Sequence, residues 1–310
     1  MEKKIDLNVK FAGLKLSSPV FLASGTCGYA DEMADFTDLN KLGGFITKSI
    51  TLKPRKGNAD PRIVETDSGM LNAIGLANIG LERFIKEKIP ILKKMKPAIF
   101  VNVAGETIKD YTEVIGRLSI EKAIAGFELN ISCPNVKMGS ICFGTEPAVV
   151  EEVTAAAKKA AGKKVLIVKL TPSVTDLSIT ARAAIDGGAD ALSLINTFTA
   201  MVIDIETAKP KLANRTGGLS GPAIKPMAVY LVNKVYREVA QKANIPILGL
   251  GGIRTASDAI EFFIAGATAV AIGTASFSDP ACAEKVALGI QEYLARKKLK
   301  NLADLTGSLK

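Results

Sequence analysis

Short runs of consecutive apolar residues recur along the chain. Between them lie longer stretches in which apolar positions return every three or four residues. The runs fall at residues 20–25, 44–49, 98–103, 126–131, 165–170, 191–195, 246–250 and 269–272. They do not alternate with polar residues, as expected of strands buried on both faces. The intervening spacing predicts helices over 32–39, 81–96, 145–162, 255–265 and 279–296. Several carry helix punctuation: Pro147 in a first turn, Gly162 and Gly266 just past an end, and Asp279-Pro280 as a cap and first helical position. Eight strands alternating with helices, without a linker-like stretch, predict an α/β fold, a single (β/α)8 TIM barrel domain over residues 1–310. A doubly wound sheet fits less well, because no GxGxxG follows the first strand. Ahead of the barrel, residues 5–9 and 11–16 predict a β-hairpin turning near Ala12-Gly13. After the second strand, residues 52–80 predict a long irregular connection, and such connections in compact domains usually carry function. The polar tail, 297–310, predicts a short helix and a frayed end.

Composition narrows the chemistry. Histidine is absent, which removes imidazole bases, His-dependent triads and His metal sites. The four cysteines, Cys27, Cys133, Cys142 and Cys282, form no CxxC pair, so no zinc or iron–sulfur site is expected in this chain. No apolar run approaches the roughly 20 residues needed to span a bilayer, and the start of the chain has no signal-peptide core. A cytoplasmic location with reduced thiols and no membrane contact is the expectation. The net charge of +9 admits a nucleic-acid binder. The basic residues are scattered, however, and no aromatic–basic interleaving appears, so a lysine-rich solvated surface is the preferred account and no nucleic-acid partner is expected.

In a barrel of this kind the chemistry sits at the C-terminal strand ends. Read in order, those ends are Ser24-Gly25, Lys48-Ser49, Asn102, Asn130 with Cys133 just beyond, Lys169, Asn196-Thr197, 249–252 and Gly273-Thr274. The glycine turns after strands seven and eight match the usual phosphate position of the fold, with tight turns alone as the competing account. Gly217-Gly218-Leu219-Ser220-Gly221 adds further small residues. Three strand-end asparagines suit a planar ligand with alternating N–H and C=O groups. Cys133 lies on the loop leaving strand four, ended by Pro134, where a thiol suits catalysis; a buried structural cysteine is the alternative. Lys169 could pair with acids, form a Schiff base or stabilise negative charge.

These residues resemble the dihydroorotate dehydrogenases, class 1B, over nearly the whole chain. The resemblance is carried by Asn130-Ile131-Ser132-Cys133-Pro134-Asn135 with Phe143-Gly144-Thr145, by Asn72-Ala73-Ile74-Gly75-Leu76, by Lys48-Ser49-Ile50-Thr51, and by residues 213–221. Ile79 stands where the family pattern has proline. The resemblance implies an enzyme of pyrimidine synthesis that oxidises dihydroorotate to orotate through one FMN per chain. Cys133 would be the catalytic base. Ser24, Lys48, Ser49, Asn102, Asn130, Lys169, Ile195, Gly221, Gly251, Gly252, Gly273 and Thr274 would hold FMN. Lys48, Asn72, Ala73, Ile74, Gly75, Leu76, Asn130, Asn196 and Thr197 would hold substrate, and the loop 134–143 would close over it. The class implies a homodimer of catalytic chains within a heterotetramer, whose partner subunit carries FAD and a 2Fe–2S cluster and delivers electrons to NAD. Cysteine rather than serine at 133 separates class 1 from class 2. A class 1A-like homodimer reducing fumarate is the competing expectation, and a Schiff-base lyase built on Lys169 is a more distant one.

Overall fold

The computed structural model describes residues 6–132, 137–138 and 141–310. Eight parallel strands close a barrel in chain order: Val20–Leu22, Gly44–Ile46, Ala98–Val103, Gly126–Asn130, Val165–Lys169, Ala191–Leu194, Ile247–Leu250 and Ala269–Ile272, the last pairing with the first. Each run expected to be a strand contains one. The closure explains why the runs do not alternate. Outward residues such as Leu22, Phe45, Val101, Phe127, Leu166, Leu192 and Val270 pack against the helices. Inward residues such as Phe21, Ile46, Phe100, Ile167 and Leu248 fill the barrel itself.

The hairpin forms from Val9–Phe11 and Leu14–Leu16. Ala12 and Gly13 both take positive φ, the geometry that a two-residue hairpin turn requires. Its first strand starts later than the pattern suggested. Phe11 and Leu16 are buried in the cluster that fills the barrel, and Phe11, Phe21 and Phe100 stack in sequence with centroids 6.0 Å apart. The hairpin therefore plugs the floor of the barrel.

Four expectations need correction. Residues 32–39 form successive turns rather than an α-helix, followed by a short 3₁₀ segment at Leu39–Lys41. The Asp38 carboxylate caps that segment through the Asn40 N–H, so the chain restarts where a continuous helix would have run through. Residues 52–80 are not irregular throughout. Ile63–Thr66 and Gly69–Asn72 form an antiparallel hairpin, which joins Gly217–Ser220 and Phe198–Ala200 in a four-stranded sheet. The Asp67-Ser68 turn between two short runs is the signal that the length of the connection concealed. The last long helix begins at Cys282, not Asp279, because residues 275–278 first close a separate turn of helix that Asp279 ends in extended conformation. The tail does not fray: the Gly307 and Leu309 N–H groups donate to the carbonyls of Phe263 and Ile264, and Leu302 and Leu305 are buried.

The helical stretch 80–92 contains a π-turn at Phe84–Lys88, one residue ahead of Pro90, whose missing N–H cannot close an α-helical bond. Reciprocal capping boxes at Thr107/Asp110 and Thr255/Asp258 fix the starts of the helices after strands three and seven. Among the described residues no helix is long and apolar enough to cross a membrane.

Candidate active site

Climbing the inward positions, the barrel changes character. Phe100 gives way to Asn102, Gly126 to Glu128 and Asn130, Ile167 to Lys169, and Ala191 to Ser193. Asn102 pairs with Glu128 across strands three and four, and Lys169 pairs with Asn130 and Ser193 on its two neighbours. The upper layer is thus polar on four adjacent strands, and its side chains bond to one another. Ser49 Oγ donates to Asn102 Oδ1, Asn102 Nδ2 to Glu128 Oε2, and Asn130 Nδ2 to Asn102 Oδ1 at 3.4 Å. Ser193 Oγ donates to Glu128 Oε1 at 2.8 Å. Lys169 Nζ lies 3.8 Å from Glu128 Oε2 and donates to Ser24 Oγ at 3.2 Å. Glu128 is fully buried and Lys169 is 5% exposed.

Glu128 was not among the residues singled out from the sequence. It sits inside Gly-Phe-Glu-Leu-Asn, which reads as an apolar strand. The signal available was a lone acid at an inward position one step below Asn130.

The segment holding Cys133 lies outside the described residues, as does the expected closing loop except for a short hairpin pairing Lys137–Met138 with Ile141–Cys142. Its two anchors are described. Ser132 donates from its N–H to Asn130 Oδ1 at 3.3 Å and from Oγ to the Lys169 carbonyl at 2.9 Å. At the far end Phe143 is buried edge-on against Tyr111, whose hydroxyl donates to the Asn130 carbonyl at 3.0 Å. Both ends of the segment are therefore pinned beside Asn130. Of the other cysteines, Cys27 is buried with its thiol pushed up to about 12, first by desolvation and then by the Glu32 charge. Burial also raises Cys282, to about 11, helped by Asp279. Neither thiol is poised to ionise at neutral pH.

The remaining expected residues fall around this hub. The Ile195 N–H donates to Leu250, and that of Asn196 to Leu170, which tie the exit of strand six to strands seven and five. Asn196 Oδ1 accepts from the Thr197 N–H at 2.8 Å. Lys48 is half-buried, and its N–H donates to the Gly28 carbonyl at 2.7 Å. Asn72 Nδ2 donates to Gly218, so the 72–76 segment is held on the four-stranded sheet. Asn58 binds the carbonyls of Ala73 and Ile74, while Gly75 and Leu76 take positive φ. Asn78 gathers Thr51, Leu76 and Gly80 into the following turn. The Ile79 N–H faces the Tyr29 hydroxyl at 3.5 Å, a contact that proline could not make.

On the side of strands seven and eight, Gly221, Gly251 and Gly252 take positive φ. A Cβ on Gly252 would come within 2.7 Å of the Gly221 carbonyl, so these turns are packed too closely for side chains. Gly273 differs: a Cβ there would meet only Ala23 and Thr26, at 3.7 and 3.8 Å. A Cβ would therefore fit at Gly273 in ordinary contact, and the neighbouring Thr274 Oγ1 donates to Ser220 Oγ at 2.8 Å. A lysine, hydroxyls and amides at the centre, with close-packed glycine turns on one side, suit a flat polar ring carrying a phosphate.

Residues 6–294 match the dihydroorotate dehydrogenase family. The chain is 53% identical over 306 residues to the dihydroorotate dehydrogenase B (NAD(+)) catalytic subunit of Pelobacter propionicus, covering 99% of both chains. It is 50% identical to the protein of the same name from Alkaliphilus metalliredigens, again over 99% of each. Among solved structures it resembles the dihydroorotate dehydrogenase of Eimeria tenella in complex with ferulenol, with a TM-score of 0.82 and 25% identity, over 99% of this chain and 90% of that one.

Proposed function

The chain belongs to the dihydroorotate dehydrogenase family, and from that premise we propose that it is a single-barrel, NAD-linked catalytic subunit that oxidises dihydroorotate to orotate with FMN in its mouth. The observation that carries this reading is the joint placement of Lys169, Asn130 and the Ser132 anchor. They bring a buried ammonium and an amide together with Ser132, the residue from which the stretch bearing Cys133 departs. The donor set fits FMN. Lys169, Ser24, Ser49, Asn102, Asn130 and Lys48 would hold the ring system with Ile195 beside them, and Gly221, Gly251, Gly252, Gly273 and Thr274 the phosphate. When bound, the flavin supplies a two-electron acceptor for the hydride at C6 of dihydroorotate.

The protein does the rest. Asn130, Asn196 and Thr197, with residues 72–76, would orient the pyrimidine by its amide edges, each amide giving two donors and an acceptor. Lys48 would lie between ring and substrate. Cys133 would take the proton at C5, since a thiol with an ordinary value of ~8.5 needs only modest help from a nearby cation to act as a base. Lys169 would stabilise the negative charge that reduction brings to the mouth. Residues 134–143 would exclude water. The names of the relatives support NAD rather than fumarate as the final oxidant. They also describe a catalytic subunit, which implies a second subunit. In our reading that subunit carries FAD and a 2Fe–2S cluster within a heterotetramer, and the complex works in the cytoplasm.

Purified chain should be yellow, hold one FMN, and lose its visible absorbance when dihydroorotate is added without oxygen. It should reduce NAD only once an iron–sulfur flavoprotein partner is added. A colourless protein, or a flavin that dihydroorotate leaves oxidised, would reject the reading; NAD reduction by the chain alone would reject the need for a partner. Cys133→Ser should keep partial activity that rises with pH, because a hydroxyl is a weaker acid than a thiol; a flat profile would remove Cys133 from its role.

A further inference from the structure

Among the described residues, Glu128 and Lys169 are the only buried members of the Asp, Glu, Lys and Arg set. Every other such residue keeps at least partial contact with water. The pair sits in the layer just above Phe100, Ile167 and Leu248, so both charges lie directly over apolar packing. Taking a carboxylate out of water costs several kcal/mol, and a buried ion pair seldom recovers that better than aliphatic side chains of the same size. Valine or isoleucine at 128 would fill a barrel interior at lower cost. The position is therefore poorly explained by stability.

The geometry shows what the carboxylate does. Both of its oxygens are engaged, Oε1 by Ser193 at 2.8 Å and Oε2 by Asn102. These bonds fix its orientation from strands three and six. Lys169 Nζ stands 3.8 Å away, close enough for strong electrostatic coupling but beyond a hydrogen bond. Lys169 Nζ instead donates to Ser24 Oγ at 3.2 Å. The carboxylate thus sets its charge beside the ammonium, which donates to Ser24 at the exit of strand one.

We propose that Glu128 is a positioning residue that balances the charge of Lys169 and so sets how strongly the bound flavin holds electrons. This deepens the FMN reading above and rests on it. Oxidation of dihydroorotate sends a hydride from C6 to the flavin and a proton from C5 to the base. The flavin gains two electrons and, with them, negative charge near Lys169. Both electrons must then leave through the partner for NAD, a weak oxidant. A lone buried ammonium at the mouth would favour the charged, reduced flavin and retain the electrons there. A neutral pair still orients the ring but leaves the flavin reducing enough to pass them on. Asn102 couples the two tasks, because it bonds Glu128 below and Ser24, Ser49 and Asn130 above.

The test is a spectroelectrochemical titration of FMN in the purified holoprotein. Glu128→Gln removes the charge with little change of shape. It should raise the reduced-to-oxidised ratio at a fixed potential at least tenfold, which is about 30 mV for a two-electron couple. Reduction of NAD through the partner should slow more than reduction of a strong artificial acceptor. Glu128→Asp, which keeps the charge, should return the midpoint towards the native value. Ser193→Ala strips one donor from the carboxylate, exposes its field and should move the midpoint the opposite way, which keeps the test available if Glu128→Gln folds poorly. A native midpoint in both Glu128→Gln and Ser193→Ala, or in Ser193→Ala alone where Glu128→Gln does not fold, would overturn the proposal and leave Glu128 a structural residue. Absence of flavin from the native protein would instead overturn the FMN reading, so the two failures are distinguishable.

Discussion

The floor and the mouth of this barrel are built on the same strands, only a few residues apart. At the floor, Phe21, Phe100 and Val165 of the strands pack with Phe11 and Leu16 of the hairpin in one buried apolar cluster. At the mouth, Asn102, Glu128, Asn130, Lys169 and Ser193 replace that packing with hydrogen bonds and charge. The strand geometry is common to both. What differs is how each level meets the unfavourable burial of polar groups. The floor avoids it, and the mouth tolerates it because each buried polar side chain there has a partner. Precision at the top therefore depends on rigidity below. A ring of interlocked donors can hold a ligand only if the strands carrying it do not shift.

That contrast can be broken by substitution. The largest effect belongs to the mouth: Cys133→Ala should lower turnover about 10²–10⁴-fold while FMN content and melting temperature stay native. Single-turnover flavin reduction followed beside thermal melts checks this, and a parallel loss of stability would show that the mouth also bears the fold. Phe100→Ala should do the reverse, costing about 3–5 kcal/mol of stability because the floor cannot collapse into the space left. The flavin-loaded fraction should keep near-native turnover per FMN, and denaturant unfolding with active-site titration would separate the two readings.

A smaller effect lies outside the barrel, where the chain leads into strand two. Glu284 accepts from Thr37 Oγ1 at 2.7 Å, the Asp38 N–H at 2.6 Å and Lys41 Nζ at 2.7 Å, tying residues 37–41 to the last long helix. Glu284→Gln should cost roughly 1–2 kcal/mol. Desolvation raises its pKa, but the bonds from Lys41, Thr37 and Asp38 outweigh this and hold the carboxyl below the ordinary glutamate value of 4.5. A lowered folded value means the stabilisation is complete above 4.5 and is lost as pH falls through that lowered value. The gap between native and variant should accordingly narrow on acidification, and a gap that widened would mean the carboxylate is not acting as a charged acceptor.

The barrel was legible because closure leaves a plain trace. Strands covered on both faces read as unbroken apolar runs, and each such run contains a strand. The hairpin was legible from Ala12-Gly13. The layer at the mouth was only half legible. Asn102, Asn130 and Lys169 stand at the ends of runs, where polarity is visible, whereas Glu128 lies inside one and is masked by Phe127 and Leu129, which face outward. The four-stranded sheet was hidden for a different reason. Its members come from residues 63–72, 198–200 and 217–220, and pairing across such separations has no local signature. The turns at 32–39 carried a helical spacing that capping by Asp38 overrides.

The packed interior, covered below by the hairpin, makes the barrel one-ended. Whatever enters from above must depart by the same doorway, so reactant and product cannot pass through in single file. Orotate should then compete directly with dihydroorotate for entry. Rising product would slow the enzyme by occupancy alone, giving pyrimidine supply a brake that needs no separate regulatory pocket.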